Sequence, residues 1–200
     1  MFRVWAFSCL CVLAAPLPAA AEWHLTPMAG WAFKGSTTLL DYEAGTTKTH
    51  RQVGASIALL GPGVFGAEVI GVFVPRFFQQ DNQDLLETGR TYAVMGNVVV
   101  AAPRRWTEYS LRPFVSAGLG LMRVSIRDDL LPPPITVNLT GINAGVGAIG
   151  FLSERTGIRF DLRYYRTLRR TDEGAIAIDP LDPRVDLRYF TASVGIVFRR

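Results

Sequence analysis

The chain has 200 residues, with 21 Lys and Arg against 17 Asp and Glu, a formal net charge of +4, 49% hydrophobic residues and 19 glycines. Its two cysteines, Cys9 and Cys11, sit in an N-terminal stretch that reads as a leader, so the remainder has no disulfide scaffold, catalytic thiol or thiolate metal site. The basic residues are scattered and nearly all arginine, without the block of like charge that marks a nucleic-acid surface.

Arg3 precedes a largely apolar run from Val4 to Leu13, and Ala19-Ala20-Ala21 places small residues where a signal peptidase cuts. Residues 1–21 are therefore expected to be a secretory signal peptide removed after Ala21, leaving 22–200 as a single domain. A membrane-spanning helix needs roughly 20 apolar residues. This run is shorter, and Pro16 and Pro18 break its continuation.

Eight strands are expected beyond the leader, at 23–33, 51–60, 63–74, 90–102, 108–124, 139–152, 156–167 and 186–199. The stretch from Val53 to Pro75 is long enough for a membrane helix and carries only Glu68 as a charge. Gly61-Pro62-Gly63 stands at its middle, where proline lacks a backbone donor and glycine favours a turn, so two strands and a tight turn are the simpler reading.

Within the strands the side chains alternate. In 51–60, Val53, Ala55, Ile57 and Leu59 oppose Gln52, Gly54, Ser56 and Ala58; in 108–124, Val115, Ala117, Leu119 and Leu121 oppose Arg112, Phe114, Ser116, Gly118 and Gly120. In 139–152, Ile142, Ala144, Val146 and Ala148 oppose Asn143, Gly145, Gly147 and Ile149, and the last strand sets Phe190, Ala192, Val194, Ile196 and Phe198 against Tyr189, Thr191, Ser193, Gly195 and Val197. Strands bury one face and expose the other. Here the bulky apolar face alternates with a small polar one, and both lysines, Lys34 and Lys48, fall in a predicted loop. An eight-stranded barrel has a lumen that side chains just fill. Crowding therefore assigns the small face to the inside and the apolar face to the outside.

Connection lengths keep a rhythm. Long polar links at 34–50, 75–89, 125–138 and 168–185 alternate with short ones at Gly61-Pro62, Pro103–Thr107 and Ser153–Arg155. That is the pattern of a bacterial outer-membrane barrel, with short periplasmic turns and longer external loops. Aromatic residues near strand ends, among them Trp23, Trp31, Phe73, Phe77, Tyr92, Trp106, Tyr164, Tyr165 and Phe198, fit two interfacial girdles. The fold class read from this is all-β: an eight-stranded antiparallel up-and-down transmembrane β-barrel.

With these strands in view, and above all the closing stretch DLRYFTASVGIVFRR, the chain resembles the small eight-stranded outer-membrane β-barrel proteins, the group of the OmpA membrane domain and the OmpX/Ail type. Phe198 has the parity of that family's closing signal, but Arg200 stands where its terminal aromatic would be. The resemblance implies a monomer in the cell outer membrane. It also implies contact with outer-membrane lipid including lipopolysaccharide, insertion by the barrel assembly machinery, and no cofactor or nucleic-acid partner.

Chemistry-bearing residues are few. His24 and His50 are isolated, with no Ser two residues away to make an activated nucleophile and no companion ligands for a metal. Glycines in SAGLGLM and GINAGVGAIG repeat at period two, which is packing and not a phosphate loop. Glu68, Arg112, Arg159, Asp161 and Arg163 share the inward parity and are expected to form a structural ion-pair cluster in the lumen, with Asn97 as a further member. No catalytic, cofactor or metal site is expected. The role expected is structural or surface-interacting, through four outer loops over a plugged polar lumen. The alternatives are a lipid-modifying outer-membrane barrel enzyme and a soluble secreted lipocalin-like binding barrel.

Overall fold

The computed structural model describes residues 21–37, 49–75, 77, 88–107, 111–127, 135–168 and 186–200. Nearly all of the expected signal peptide and most of the four long connections, with Pro132–Pro134 and the Asp-Pro pairs at 179–180 and 182–183, lie outside the described residues. Eight strands follow in order: β1 (Glu22–Thr37), β2 (His50–Leu60), β3 (Phe65–Val74), β4 (Thr88–Ala101), β5 (Leu111–Arg127), β6 (Ile135–Phe151), β7 (Thr156–Thr167) and β8 (Leu187–Arg199). A 3-10 turn, Arg104–Trp106, stands between β4 and β5. Among the described residues no helix is long and apolar enough to cross a membrane; the 53–75 stretch is the β2–β3 hairpin.

Each strand pairs antiparallel with its sequence neighbour, and β8 closes on β1 to complete a barrel. The seam runs to the last residue, because Trp23 and Arg200 exchange both backbone hydrogen bonds at 2.9 Å. Following the ladder from Glu22 through Leu60, Gly66, Val99, Ser116, Gly145, Arg163 and Thr191 returns to Ala32, an offset of ten residues along β1. Closure with that stagger requires strongly tilted strands, of the order of 40° from the axis. The three short connections, Glu22 and Arg199 lie at one end, and the strand ends from which the four long connections leave are at the other.

Boundaries shift where polar residues imitate a loop. β5 and β6 extend to Arg127 and back to Ile135, beyond the expected 124 and 139, because Val124 and Ser125 pair with Val137 and Thr136. β1 continues to Thr37, so Lys34 belongs to a strand and not to a loop.

The outside is apolar. Phe65 is 75% exposed, Leu119 66% and Leu121 65%, and among the described residues Trp23, Trp31, Ile57, Val98, Phe160 and Ile196 also stand free on the exterior. Inward positions alternate with these along every strand, as in β7, where Arg159, Asp161, Arg163 and Tyr165 are buried between exposed or half-buried neighbours. Two of the expected girdle residues lie elsewhere: Tyr165 and Phe77 are fully buried, their rings packing on or beside Tyr189. Parity sends Tyr165 inward, and the Phe77 amide bonds the Gly89 carbonyl, tucking that residue into the barrel mouth.

The interior is not uniformly small and polar. Leu60, Val99, Ala101, Phe114, Ile149 and Val197 pack together toward the short-turn end. A larger group including Ile70, Val72, Met95, Met122, Tyr165 and Tyr189 fills the far half. Glu68, Asn97, Asn143, Arg159, Asp161 and Arg163 lie between these two apolar layers. β3 and β4 contribute Ile70, Val72, Met95 and Val99 to them, strands whose inward faces carry more carbon than the glycine-rich faces of β5 and β6.

Candidate functional site

β7 places three charged side chains on one lumen-facing row, two residues apart, and β3 faces it across the barrel with Glu68. Glu68 is ion-paired through Oε1 with Arg159, while its Oε2 accepts from Arg163 Nη2 at 3.0 Å. Asp161 Oδ2 accepts from Arg159 Nη2 at 2.6 Å and from Arg163 Nη2 at 3.1 Å, and its Oδ1 accepts from Arg163 Nε at 3.1 Å. Two cations and two anions thus cancel. A buried charge without a partner is costly, so a neutral set is the form in which four ionised groups persist away from water.

Amides extend the set into a closed ring. Arg163 Nη1 donates to Asn143 Oδ1 at 3.0 Å, Asn143 Nδ2 to Asn97 Oδ1 at 2.7 Å, and Asn97 Nδ2 to Glu68 Oε2 at 3.4 Å, returning to the carboxylate that Arg163 holds. Arg159 also donates to the Ser56 hydroxyl at 3.2 Å and lies 4.5 Å over the Phe114 ring, a cation–π contact from the lower apolar layer. Strands from both walls of the barrel meet in this one network.

Glycine makes the room. A Cβ on Gly118 would come within 2.2 Å of Asn97 Oδ1 and 2.0 Å of the Gly96 carbonyl, so any side chain there displaces the amide or the strand. Gly118→Ala is expected to destabilise the barrel by about 1–3 kcal/mol, as overpacking does. The check is the urea midpoint of unfolding followed by tryptophan fluorescence.

Arg112 stands apart from the other four charged residues and corrects the expectation of one five-membered cluster. Its Nε donates to the Ala102 carbonyl at 2.8 Å and its Nη2 to the carbonyls of Gly61 and Gly63 at 3.0 and 2.9 Å. The register puts Arg112 beside Ile149, next to the short turns, where three backbone acceptors replace the carboxylates that are out of reach. It ties the β2–β3 turn to the β4–β5 connection. Hydrogen bonds from charged donors are worth about 1.5–3 kcal/mol each. Arg112→Met is accordingly expected to lower the unfolding midpoint and to increase proteolysis at Gly61–Gly63, read by mass spectrometry of the fragments.

A second ionic group closes the same end. Glu22 Oε1 accepts from Arg104 Nη1 at 2.8 Å, and Glu22 Oε2 lies 3.4 Å from Arg199 Nε and 3.8 Å from His24 Nε2. His24 is buried edge-on to Phe151, 5.9 Å between ring centres, and neither ring nitrogen has a hydrogen-bond partner among the described residues. A histidine that activates a hydroxyl must hold it by a hydrogen bond. His50 lies in β2 at the far end, its ring 5.6 Å from Phe77. Among the described residues no three His, Cys, Asp or Glu come together as a metal site.

Sequence reading missed Asn143, Ser56 and Phe114 as members of the network. Their signal was parity, since each falls on the inward face, but which inward residues share a level depends on the stagger between strands.

Eight antiparallel strands closed with this stagger, bulky and apolar outside and charged within, make the architecture of the small outer-membrane β-barrels. No protein-family model matches the chain, and no curated protein matches it in sequence. In fold it is similar to Neisserial surface protein A, with 12% identity, 88% of this chain and 96% of that chain covered, and a TM-score of 0.58. It is also similar to the outer membrane protein OprG from Pseudomonas aeruginosa, at 11% identity, 90% and 96% coverage and a TM-score of 0.58. A third such structure is Ail, the attachment invasion locus protein of Yersinia pestis, solved with the heparin analogue sucrose octasulfate, at 13% identity, 89% and 99% coverage and a TM-score of 0.52. At these identities the likeness is one of fold.

Proposed function

We propose that the protein is a monomeric outer-membrane barrel, inserted by the barrel assembly machinery, with lipopolysaccharide among its lipid neighbours. Its lumen is closed by its own side chains, and its role is structural or surface-interacting through the four long connections. The observation that carries this reading is the inverted polarity: Leu119 and Leu121 face outward while Glu68 and Arg163 are buried. A soluble lipocalin-type barrel needs the reverse, apolar side chains within and charges at the surface. A bilayer accepts only spanning structures whose backbone groups are paired, which a closed barrel provides.

In this reading the short-turn end faces the periplasm and the long connections face outward. The central ion-pair ring sits between two apolar layers, which supports a filler over a pore. A lipid-modifying enzyme is disfavoured because His24 is buried beside Glu22, Arg199 and Phe151 and holds no hydroxyl by a hydrogen bond among the described residues. Residues 1–21 act as the signal peptide, and intact mass of the purified protein is expected to start at Glu22.

The test is outer-membrane fractionation followed by gel electrophoresis of unheated and boiled samples. A folded membrane barrel resists the detergent and changes mobility on boiling. Recovery in the soluble periplasmic fraction, with one mobility in both lanes, overturns the reading.

A further inference from the structure

We propose that the outer rim of the β7–β8–β1–β2 sector is a binding site for the phosphorylated headgroup of an outer-leaflet lipid of the lipid A kind. The inference rests on the membrane reading above and names a partner for the side of the barrel where the described cations are most concentrated.

The site begins with a pairing that the protein by itself disfavours. Arg166 on β7 stands directly opposite Arg188 on β8, both exposed, and like charges directly across a ladder repel. Asp186 lies 3.9 Å from Arg166 and is half exposed, a weak offset. Asp186 is also the only acidic residue at this end among the described residues.

Next to this pair the backbone is bent out of regular form. Between Phe33 and Ser36 the β1–β8 register gains one residue, so Lys34 and Gly35 together stand opposite Tyr189. Lys34 has φ 51°, the only non-glycine positive φ among the described residues. A left-handed backbone is costly for a lysine. Bulges re-aim a side chain, and strict alternation with buried Ala32 would have turned Lys34 inward. The bulge leaves Lys34 exposed and Gly35 buried, so a third cation joins the two arginines. Arg51 on β2, paired with Trp31, adds a fourth on the next strand.

Immediately below the cations, toward mid-barrel, lies an aromatic platform. Phe190 packs 4.8 Å from Tyr164 and 6.1 Å, stacked, from Phe33, and Trp31 continues the row on the exterior. Four cations over an apolar aromatic strip match an amphiphile whose phosphates meet arginine forks while its acyl chains lie along the barrel wall. Free phosphate would use the cations and ignore the platform. The β4–β5 side carries two exposed arginines near this height among the described residues, Arg90 and Arg123, beside the stacked Phe73 and Tyr92, against four cations here.

The test uses the full mature protein extracted from outer membranes in mild detergent, titrated with bis-phosphorylated lipid A and followed by native mass spectrometry. Wild type is expected to bind at least about tenfold more tightly than Arg166→Ala/Arg188→Ala, since the charge-assisted hydrogen bonds to phosphate are removed. Arg123→Ala, outside the four-cation sector, is expected to stay within about threefold of wild type, as for a single exposed charge. Because the single variants Arg166→Gln and Arg188→Gln relieve repulsion, both are expected to fold. Lipid A is expected to raise the unfolding midpoint of wild type more than of either variant. The site is overturned if the double variant, still heat-modifiable, binds like wild type, or if dephosphorylated lipid A binds equally well. Competition by millimolar inorganic phosphate, or an equal loss in Arg123→Ala, overturns it too. Since every variant is first scored for heat-modifiable migration, loss of lipid binding by a folded outer-membrane barrel is distinct from failure of the membrane reading.

Discussion

Arg163→Leu is expected to lower the stability of the barrel by about 3–5 kcal/mol, because it strands buried carboxylates. Arg163 donates to Glu68, Asp161 and Asn143, and its loss leaves Arg159 alone against two carboxylates in the lumen. The measurement is equilibrium unfolding in urea from phospholipid vesicles, followed by tryptophan fluorescence. A second substitution decides whether the cost is charge imbalance or lost packing. Glu68→Leu in the same chain removes one cation and one anion together, keeping Arg159 paired with Asp161 at 2.6 Å. The double variant is expected to recover part of the loss, with a coupling of about 1–3 kcal/mol, whereas additive losses would mean that the ring does not act as a unit.

Leu162→Arg carries the opposite logic. Leu162 is 45% exposed at the middle of β7, one residue from Arg163 and on the other face of the same strand. An arginine on the lipid face at mid-bilayer costs about 2–4 kcal/mol, falling to about 0–1 near the interfaces. Leu121 is 65% exposed and sits one outward position from Arg123, close to the rim. Leu121→Arg is therefore expected to be nearly silent while Leu162→Arg is not. A barrel standing in water would tolerate both, since both side chains would then meet solvent. The pair of variants thus reads the bilayer itself, through the depth at which a charge becomes expensive.

Much of the fold is legible in the sequence because its signals are local. A strand in a barrel wall has one environment on each face, so period-two alternation survives in Thr156–Thr167 and Leu187–Arg199 without reference to the rest of the chain. Turn chemistry at Gly61-Pro62-Gly63 and the alternation of long and short links are equally local. Boundaries are less legible where a polar residue on an exposed face imitates a loop, as with Ser125 and Thr136, whose hydroxyls lie 3.4 Å apart within a continuing hairpin.

The cluster is half legible for a related reason. Parity alone assigns Glu68, Arg112, Arg159, Asp161 and Arg163 to the inside, but parity says nothing about height. Arg112 and Arg159 lie on β5 and β7 with the same inward face, yet one holds turn carbonyls and the other a carboxylate on the opposite wall. Lys34 shows the same limit. It carries no sequence sign of a bulge, and only the one-residue gain against β8 takes it out of the inward row and beside Arg188.

From the sequence alone came the expectation of a leader, the eight-strand rhythm, and which side chains share a face, because each follows from residues adjacent in the chain. Tertiary structure alone decided the ten-residue stagger around the ring, and with it which inward residues meet at one level. That stagger separates Arg112 from the ion-pair ring, sandwiches the ring between two apolar layers, and sets Arg166 against Arg188. The physical reason is that closing a sheet couples all eight registers at once, a condition that no single strand carries in its own residues.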